Sequence, residues 1–254
     1  MKHKIYIIRA MILLISLLIL LFLQRYLSNV EGFSEKRTAI IVEPRKHKAL
    51  SFVLDNFTSN LDETWDIVIL HGTQNKSFVE KIVNTTLKKN KHRITLHNLN
   101  VENLTLEDYN NLLTSKDFYS YINTETLLIF QTDTVICEEH KDDINNFLQY
   151  DYVGAPNENW VGNGGLSLRK KSKMLEILNK HKRPADMNED VFFTKYGEHL
   201  NIPDINTAKS FSTEVLYNEN SFGVHKPWLY LNKLEMDSKQ SKCKALKKLV
   251  ILNH

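Results

Sequence analysis

Three places in the chain carry the residue types that metal and acid–base chemistry need. Asp133 stands in Phe130-Gln131-Thr132-Asp133-Thr134, directly after the apolar run Thr126 to Phe130. A carboxylate at the C-terminal tip of a buried strand is placed to hold a divalent cation, which can bridge a diphosphate. Read without a ligand, the same residue is a turn aspartate bonded to its own backbone. His225 and Lys226 lie in Phe222-Gly223-Val224-His225-Lys226-Pro227-Trp228, where an imidazole could bind a metal and the ammonium a phosphate. Pro227 predicts an extended Lys226. Glu189 and Asp190 are the third place. Asp186-Met187-Asn188-Glu189 has capping-box spacing, so Glu189 reads as a helix cap as well as an acid. Asp190 projects about 100° further around the helix. A carboxylate so placed could take a proton from a hydroxyl as general base.

Between these acids lies Gly162-Asn163-Gly164-Gly165, which holds three of the chain's eight glycines. Such density lets backbone approach backbone or ligand closely. With Leu166-Ser167-Leu168-Arg169 following, the segment predicts a tight loop feeding a strand at a ligand pocket. The ligand-free alternative is a β-bulge or hairpin turn.

The elements that must position these residues alternate. Thr38 to Val42, Asp66 to Leu70, Arg93 to His97 and Thr126 to Phe130 read as strands. Leu50, Val53, Leu54 and Phe57 follow helical spacing, and Ser77 with Glu80 makes a capping box before Val79, Ile82 and Val83. His140 to Gln149 and Lys171 to His181 read as further helices. Strands apolar on both faces, alternating with helices, predict an α/β domain with a mostly parallel sheet. Ligands then bind beyond the carboxyl ends of the strands, where Glu43, Arg45, His71 and Asp133 fall.

Composition narrows the class. The chain has 254 residues and a formal net charge of +3, with 42% hydrophobic and 25% charged residues, ordinary globular values. Residues 1–37 carry six basic and two acidic side chains, so the remainder is close to neutral. A nucleic-acid partner calls for a basic folded domain and is excluded on that ground. The basic run Lys239, Lys242, Lys244, Lys247 and Lys248 reads as a solvated tail or helix face. Ala10 to Leu23 is apolar apart from Ser16, and with Ile5 to Ile8 the stretch approaches the length a bilayer requires. Lys2, Lys4 and Arg9 precede most of it, which orients the N-terminus to the cytoplasm. Residues 1–25 are therefore expected to form a tail and uncleaved signal anchor, with a cleaved signal peptide as the alternative, which the lack of a small-residue cleavage site after Leu23 disfavours. Residues 26–37 are expected to form a stem, 38–232 one domain and 233–254 a basic tail. Sequons stand at Asn56, Asn75, Asn84 and Asn103. Cys137 and Cys243 could pair or remain free.

The order of these features resembles the GT-A class of nucleotide-sugar glycosyltransferases, and more closely a GT-A-like branch classed as a domain of unknown function. The stretches that carry the likeness are Ile41-Val42-Glu43-Pro44-Arg45, Trp65 to Gly72, Phe130 to Thr134, Tyr150-Asp151-Tyr152-Val153-Gly154-Ala155-Pro156, Gly162 to Arg169, Asn188 to Phe193 and Phe222 to Trp228. The resemblance implies a single Rossmann-like GT-A domain. It implies that Asp133 stands for the last acid of an Asp-x-Asp metal motif, with Gln131 departing from the pattern where the first acid is expected. His225 would complete the site for Mn²⁺ or Mg²⁺, and Lys226 would lie near the donor diphosphate. Gly164 and Gly165 would line the sugar pocket, and Glu43 and Arg45 would lie near the nucleotide. Asp190, beside Glu189, would serve as base in an inverting transfer.

The expected protein is a single-pass type II membrane glycosyltransferase of the endoplasmic reticulum or Golgi lumen. It would move a sugar from a nucleotide-sugar donor to a hydroxyl of a glycan or glycoprotein. The alternative is a GT-A-like module that binds nucleotide or glycan without catalysis, which Gln131 favours.

Overall fold

The four strand-like runs become four adjacent parallel strands of one sheet, with the third at its edge. β1 (Arg37–Glu43) is followed by α1 (Leu50–Asn60), β2 (Trp65–His71), α2 (Lys76–Thr85), β3 (Ile94–Asn98), α3 (Leu106–Leu113), α4 (Lys116–Ser120) and β4 (Thr126–Phe130). This computed structural model describes residues 35–254. The expected anchor at 1–25 and most of the stem lie outside the described residues. Among the described residues no helix is long and apolar enough to cross a membrane.

The chain continues through β5 (Thr134–Ile136), β6 (Tyr152–Pro156), β7 (Val161–Lys170), α5 (Lys171–Lys180), α6 (Glu189–Tyr196), α7 (Ile205–Phe211), β8 (Ser212–Thr213), β9 (Gly223–His225), α8 (Lys233–Lys242) and α9 (Lys244–Asn253). The large sheet has the order β3-β2-β1-β4-β7-β6, and a small one has the order β5-β9-β8. Pairing is parallel from β3 through β4, whereas β7 runs antiparallel to both β4 and β6. The expected α/β fold with a mostly parallel central sheet is therefore observed.

Strand alternation sends successive side chains to opposite layers. Ala39, Ile41, Ile67 and Ile69 pack with α1 and α2, while Ile40, Val42, Val68 and Leu70 pack with α3, α4 and α5. Each fully buried side chain of this size contributes about 1.5–3 kcal/mol. Phe57 of α1 stacks on Phe130 at the end of β4 at 3.9 Å between centroids, which anchors the strand tip that precedes Asp133.

Several sequence expectations are corrected. The glycine cluster is not a loop feeding a strand; Val161–Lys170 is one continuous strand whose register with β6 shifts at Gly154 and Ala155. His140 to Gln149 is not an α-helix, because Glu138–Phe147 consists of 3₁₀ turns broken at His140. Ser77 makes no cap: α2 starts at Lys76, and Asn75 spends its side chain elsewhere. Its Oδ1 accepts from Gly72 N, and its Nδ2 donates to the carbonyls of Glu43 and Arg45 at 2.8 and 2.9 Å. Of the sequon residues, Asn75 is thus buried and engaged, Asn56 bonds Ile136 through both ends of its amide, and Asn84 and Asn103 are exposed.

The domain also runs past 232. Residues 233–254 form α8 and α9, with Leu246 and Leu249 fully buried beside Val135, Ile136 and Cys137. Cys137 and Cys243 form a disulfide that fastens these helices next to β5. Lys239 is not solvated. It is fully buried, and its Nζ donates to Glu219 O and Ser221 Oγ at 3.0 and 2.8 Å.

Candidate functional site

Two adjoining cavities open beyond the carboxyl ends of the parallel strands. The first, about 310 Å³, lies between the tips of β1 and β4 and includes Glu43, Arg45, Tyr109, Gln131 and Asp133. The second, about 200 Å³, includes Gly164, Gly165, Glu189, Asp190, His225 and Lys226. Leu106, Tyr109 and Gln131 line both, so a single elongated ligand can pass from one to the other.

At the tip of β1, buried Glu43 accepts from Arg45 three times: from N at 2.9 Å, from Nε at 2.8 Å and from Nη2 at 2.8 Å. Asn75 clamps the carbonyls on either side. The half-exposed Arg45 guanidinium is thereby fixed at the mouth of the first cavity. At the tip of β4, Thr134 Oγ1 donates to Gln131 O at 2.7 Å, which closes the turn carrying Asp133. Gln131 Nε2 donates to Tyr109 Oη at 3.0 Å, so Gln131 is bound to the wall between the cavities.

The β5–β9 pairing brings two candidate residues together. Thr134 is opposite His225, and Lys226 N donates to Asp133 O at 3.0 Å. His225 Nε2 lies 3.5 Å from Asp133 Oδ1, and His225 Nδ1 lies 3.3 Å from Glu214 Oε1. Both are ion-pair distances, yet Asp133 Oδ1 and both ring nitrogens are buried without a hydrogen-bond partner among the described residues. Burial lowers the pKa of His225, but Asp133 and Glu214 outweigh it and push it up to about 9. For Asp133, burial acts upward, and His225 and Lys226 outweigh it to hold the carboxyl below its usual range. Lys226 is not extended as Pro227 led one to expect. It sits in the left-handed region at φ 34°, and its Nζ lies 3.8 Å from Glu214 Oε1. For a residue other than glycine, such backbone costs about 1–3 kcal/mol.

These residues fit a divalent cation. Asp133 and His225 supply one carboxylate oxygen and one imidazole nitrogen, close together and unsatisfied. Mg²⁺ and Mn²⁺ sites in phosphate chemistry commonly draw one or two ligands from protein and the rest from phosphate and water. No group of three or more acidic, histidine or cysteine residues placed to hold a metal ion occurs among the described residues.

On the far wall, Arg169 of β7 and Glu189 at the start of α6 form a buried bidentate pair at 2.7 and 2.8 Å. Arg169 also donates to Ser167 Oγ and lies over the Tyr152 ring at 4.7 Å. Burial raises the Glu189 pKa, against the opposing pull of Arg169. Glu189 therefore does not cap the helix: α6 has no side-chain cap, and Glu189 N instead donates to Asn110 Oδ1 at 3.0 Å. Asp190 turns the other way, into the second cavity. Its Oδ2 accepts from Gly164 N at 3.0 Å and its Oδ1 from Val191 N at 2.8 Å. Gly164 and Gly165 line this cavity, and their missing side chains leave the space that Glu189 and the His225 ring occupy.

Sequence reasoning did not single out Arg169, Tyr109 or Glu214. Arg169 gave a usable signal, since an arginine inside an apolar strand needs a buried acid. Glu214 gave none: the β8–β9 register, which pairs Thr213 with Val224, carries it to His225.

Residues 93–225 match the family model described as "Protein of unknown function (DUF5672)", just over half of the chain. The chain belongs to the DUF5672 family. The matched segment takes in Tyr109, Asp133, Arg169, Glu189, Asp190, Glu214 and His225. No curated protein matches the chain by sequence. Among solved structures, the apo-form glycosyltransferase GlyE of Streptococcus pneumoniae TIGR4 superposes with a TM-score of 0.53 at 10% identity, over 86% of this chain and 62% of that one. The mannosyltransferase PcManGT from Pyrobaculum calidifontis, in complex with GDP-Man and Mn²⁺, gives 0.50 at 12% identity, over 68% and 56%. WbbM, a bifunctional glycosyltransferase, gives 0.50 at 9% identity, over 87% and 52%. This chain shares the GT-A fold of these glycosyltransferases. The chain spans between 52% and 62% of the length of these structures.

Proposed function

We propose that the protein is a metal-assisted glycosyltransferase that moves a sugar from a nucleotide-sugar donor to a hydroxyl of a glycan or glycoprotein. The observation that carries this reading is the set of unsatisfied buried atoms, Asp133 Oδ1 and His225 Nε2, between two joined cavities. Arg45 and Lys226 stand in those cavities and Asp190 faces the second one. The presence of GDP-Man and Mn²⁺ in PcManGT supports a nucleotide-sugar and a divalent cation as partners.

In this reading the nucleotide lies in the first cavity beside Glu43 and Arg45, and the sugar lies in the second against Gly164 and Gly165. Asp133 and His225 would hold Mn²⁺ or Mg²⁺, which would supply positive charge to neutralise the departing diphosphate. Lys226 adds a second positive charge there. Asp190 accepts the proton of the acceptor hydroxyl as its oxygen bonds to the anomeric carbon. The bond from that carbon to the diphosphate breaks, its electron pair leaves with the diphosphate, and the configuration inverts. Glu189, committed to Arg169, orients the start of α6 and so the Asp190 carboxylate.

We read the apolar run before the domain as a type II anchor that places it in the endoplasmic reticulum or Golgi lumen. The Cys137–Cys243 disulfide supports an oxidising compartment. The second reading, a non-catalytic binding module, is favoured by Gln131 where the first acid is expected. The two separate in one assay. Full-length protein is screened for nucleoside diphosphate release across nucleotide-sugars with Mn²⁺, beside Asp133→Asn. Release that depends on Mn²⁺ and on Asp133 supports the enzyme; donor binding without release supports the module.

A further inference from the structure

We infer that Glu214 is the positioning residue of His225, fixing the ring so that Nε2 faces Asp133 as a cation ligand. The inference rests on the metal reading of the site and adds a residue that neither sequence pattern nor fold assigned. Glu214 follows β8, and the parallel register of β8 with β9 sets it beside His225. Its side chain is 3% exposed and that of His225 is 2% exposed, so both groups lie almost wholly inside the protein. An ionised carboxylate this deep is costly without a partner. Its ion-pair partners among the described residues are His225 Nδ1 at 3.3 Å and Lys226 Nζ at 3.8 Å. Lys226 is the longer contact and its side chain is 29% exposed toward the second cavity. The buried, nearer group is His225.

The chemistry follows from the two ring nitrogens. When a cation takes the place of the Nε2 proton, the proton that remains on the ring is on Nδ1, the side facing Glu214 Oε1 at 3.3 Å, and the Nε2 lone pair faces Asp133 Oδ1 at 3.5 Å. A carboxylate behind a ligating histidine fixes both tautomer and ring orientation and makes the ligand more basic. Gly165 closes the remaining freedom by packing on the ring. Glu214, His225 and Asp133 thus form one line from the small sheet to the cavities.

The test is Mn²⁺ affinity of the full-length protein, read from the electron paramagnetic resonance signal of free Mn²⁺ with UDP and, separately, GDP present. Glu214→Ala is expected to weaken Mn²⁺ binding about 10–100-fold. Glu214→Gln, which retains an acceptor oxygen, is expected to lose less. In a His225→Ala background, Glu214→Ala is expected to add less than about a further twofold, because a residue acting through His225 has nothing left to position. Wild-type affinity in folded Glu214→Ala, or a full loss repeated in the His225→Ala background, would overturn the inference. If Glu214→Ala does not fold, Glu214→Gln decides. A loss that vanishes in the His225→Ala background upholds the inference, and unchanged affinity overturns it. Wild-type protein that binds no Mn²⁺ with either nucleotide overturns the metal reading itself, and the inference with it.

Discussion

Gly165 packs against the imidazole of His225 so closely that a Cβ at position 165 would overlap the ring. Gly164 stands in the same relation to the carboxylate of Glu189. The glycine cluster lines the second cavity and at the same time makes room for two buried side chains on which that cavity depends. The expected effect of a substitution there is therefore sharper than a blocked sugar pocket.

Gly165→Ala is expected to displace His225, weaken Mn²⁺ binding and lower transfer by roughly the 10–100-fold seen when ligand orientation is lost. Its thermal midpoint should stay within a few degrees of wild type. Calorimetry beside an Mn²⁺ titration checks this. Impaired transfer with unchanged Mn²⁺ affinity would assign Gly165 to the sugar instead.

The Arg169–Glu189 pair should behave as structure. Removing one partner leaves a buried, uncompensated charge, which costs about 3–5 kcal/mol. Arg169→Met and Glu189→Gln are each expected to lower the urea midpoint markedly. The double variant Arg169→Met/Glu189→Leu should recover much of the loss. A Glu189→Gln protein of wild-type stability that has lost transfer would instead make Glu189 a participant in the chemistry.

Cys137 and Cys243 are 106 residues apart in sequence. A cross-link over a loop of this length constrains the unfolded chain by about 3–5 kcal/mol. Cys137→Ser/Cys243→Ser is expected to melt roughly 10 °C lower. Because Cys137 follows β5, which pairs with the strand carrying His225, Mn²⁺ affinity should fall with it. Scanning calorimetry with and without reductant reports the first effect, and Mn²⁺ titration the second.

Lys239 gives a signed pH dependence. Burial lowers its pKa to about 7 from an ordinary 10.5. Between those values the unfolded chain binds more protons than the folded one, so this residue makes stability rise with pH across that window. His225, raised to about 9 from 6.5, acts oppositely, its contribution being lost as pH rises through 9. The contrast isolates Lys239: the urea midpoint of Lys239→Met is expected to fall more steeply between pH 7 and 9.5 than that of wild type. Parallel profiles would contradict it.

What was legible in the sequence follows from how local each signal is. β1, β2 and β4 were readable because buried parallel strands are apolar on both faces, and α1 because its apolar residues keep helical spacing. Asp133 and Asp190 were readable because each directly follows such an element or opens one. The capping box at Asp186 failed because Arg169 claims the Glu189 carboxylate, and the one at Ser77 because the helix already begins at Lys76. The glycine segment failed as a loop because β6 pairs along it, with Ala155 opposite Asn163 and Pro156 opposite Val161. Lys226 departs from the extended form because its amide is held by Asp133 O. Glu214 was invisible, since its partner is set by the register of a two-residue strand.

The most direct test is the rate of sugar transfer by Asp190→Asn at saturating donor. The carboxylate that lines the second cavity with His225 is expected to be the proton acceptor. Its loss should lower kcat by about 10²–10⁴-fold while donor affinity and Mn²⁺ affinity stay near wild type. Asp190→Asn that transfers at the wild-type rate would contradict that role.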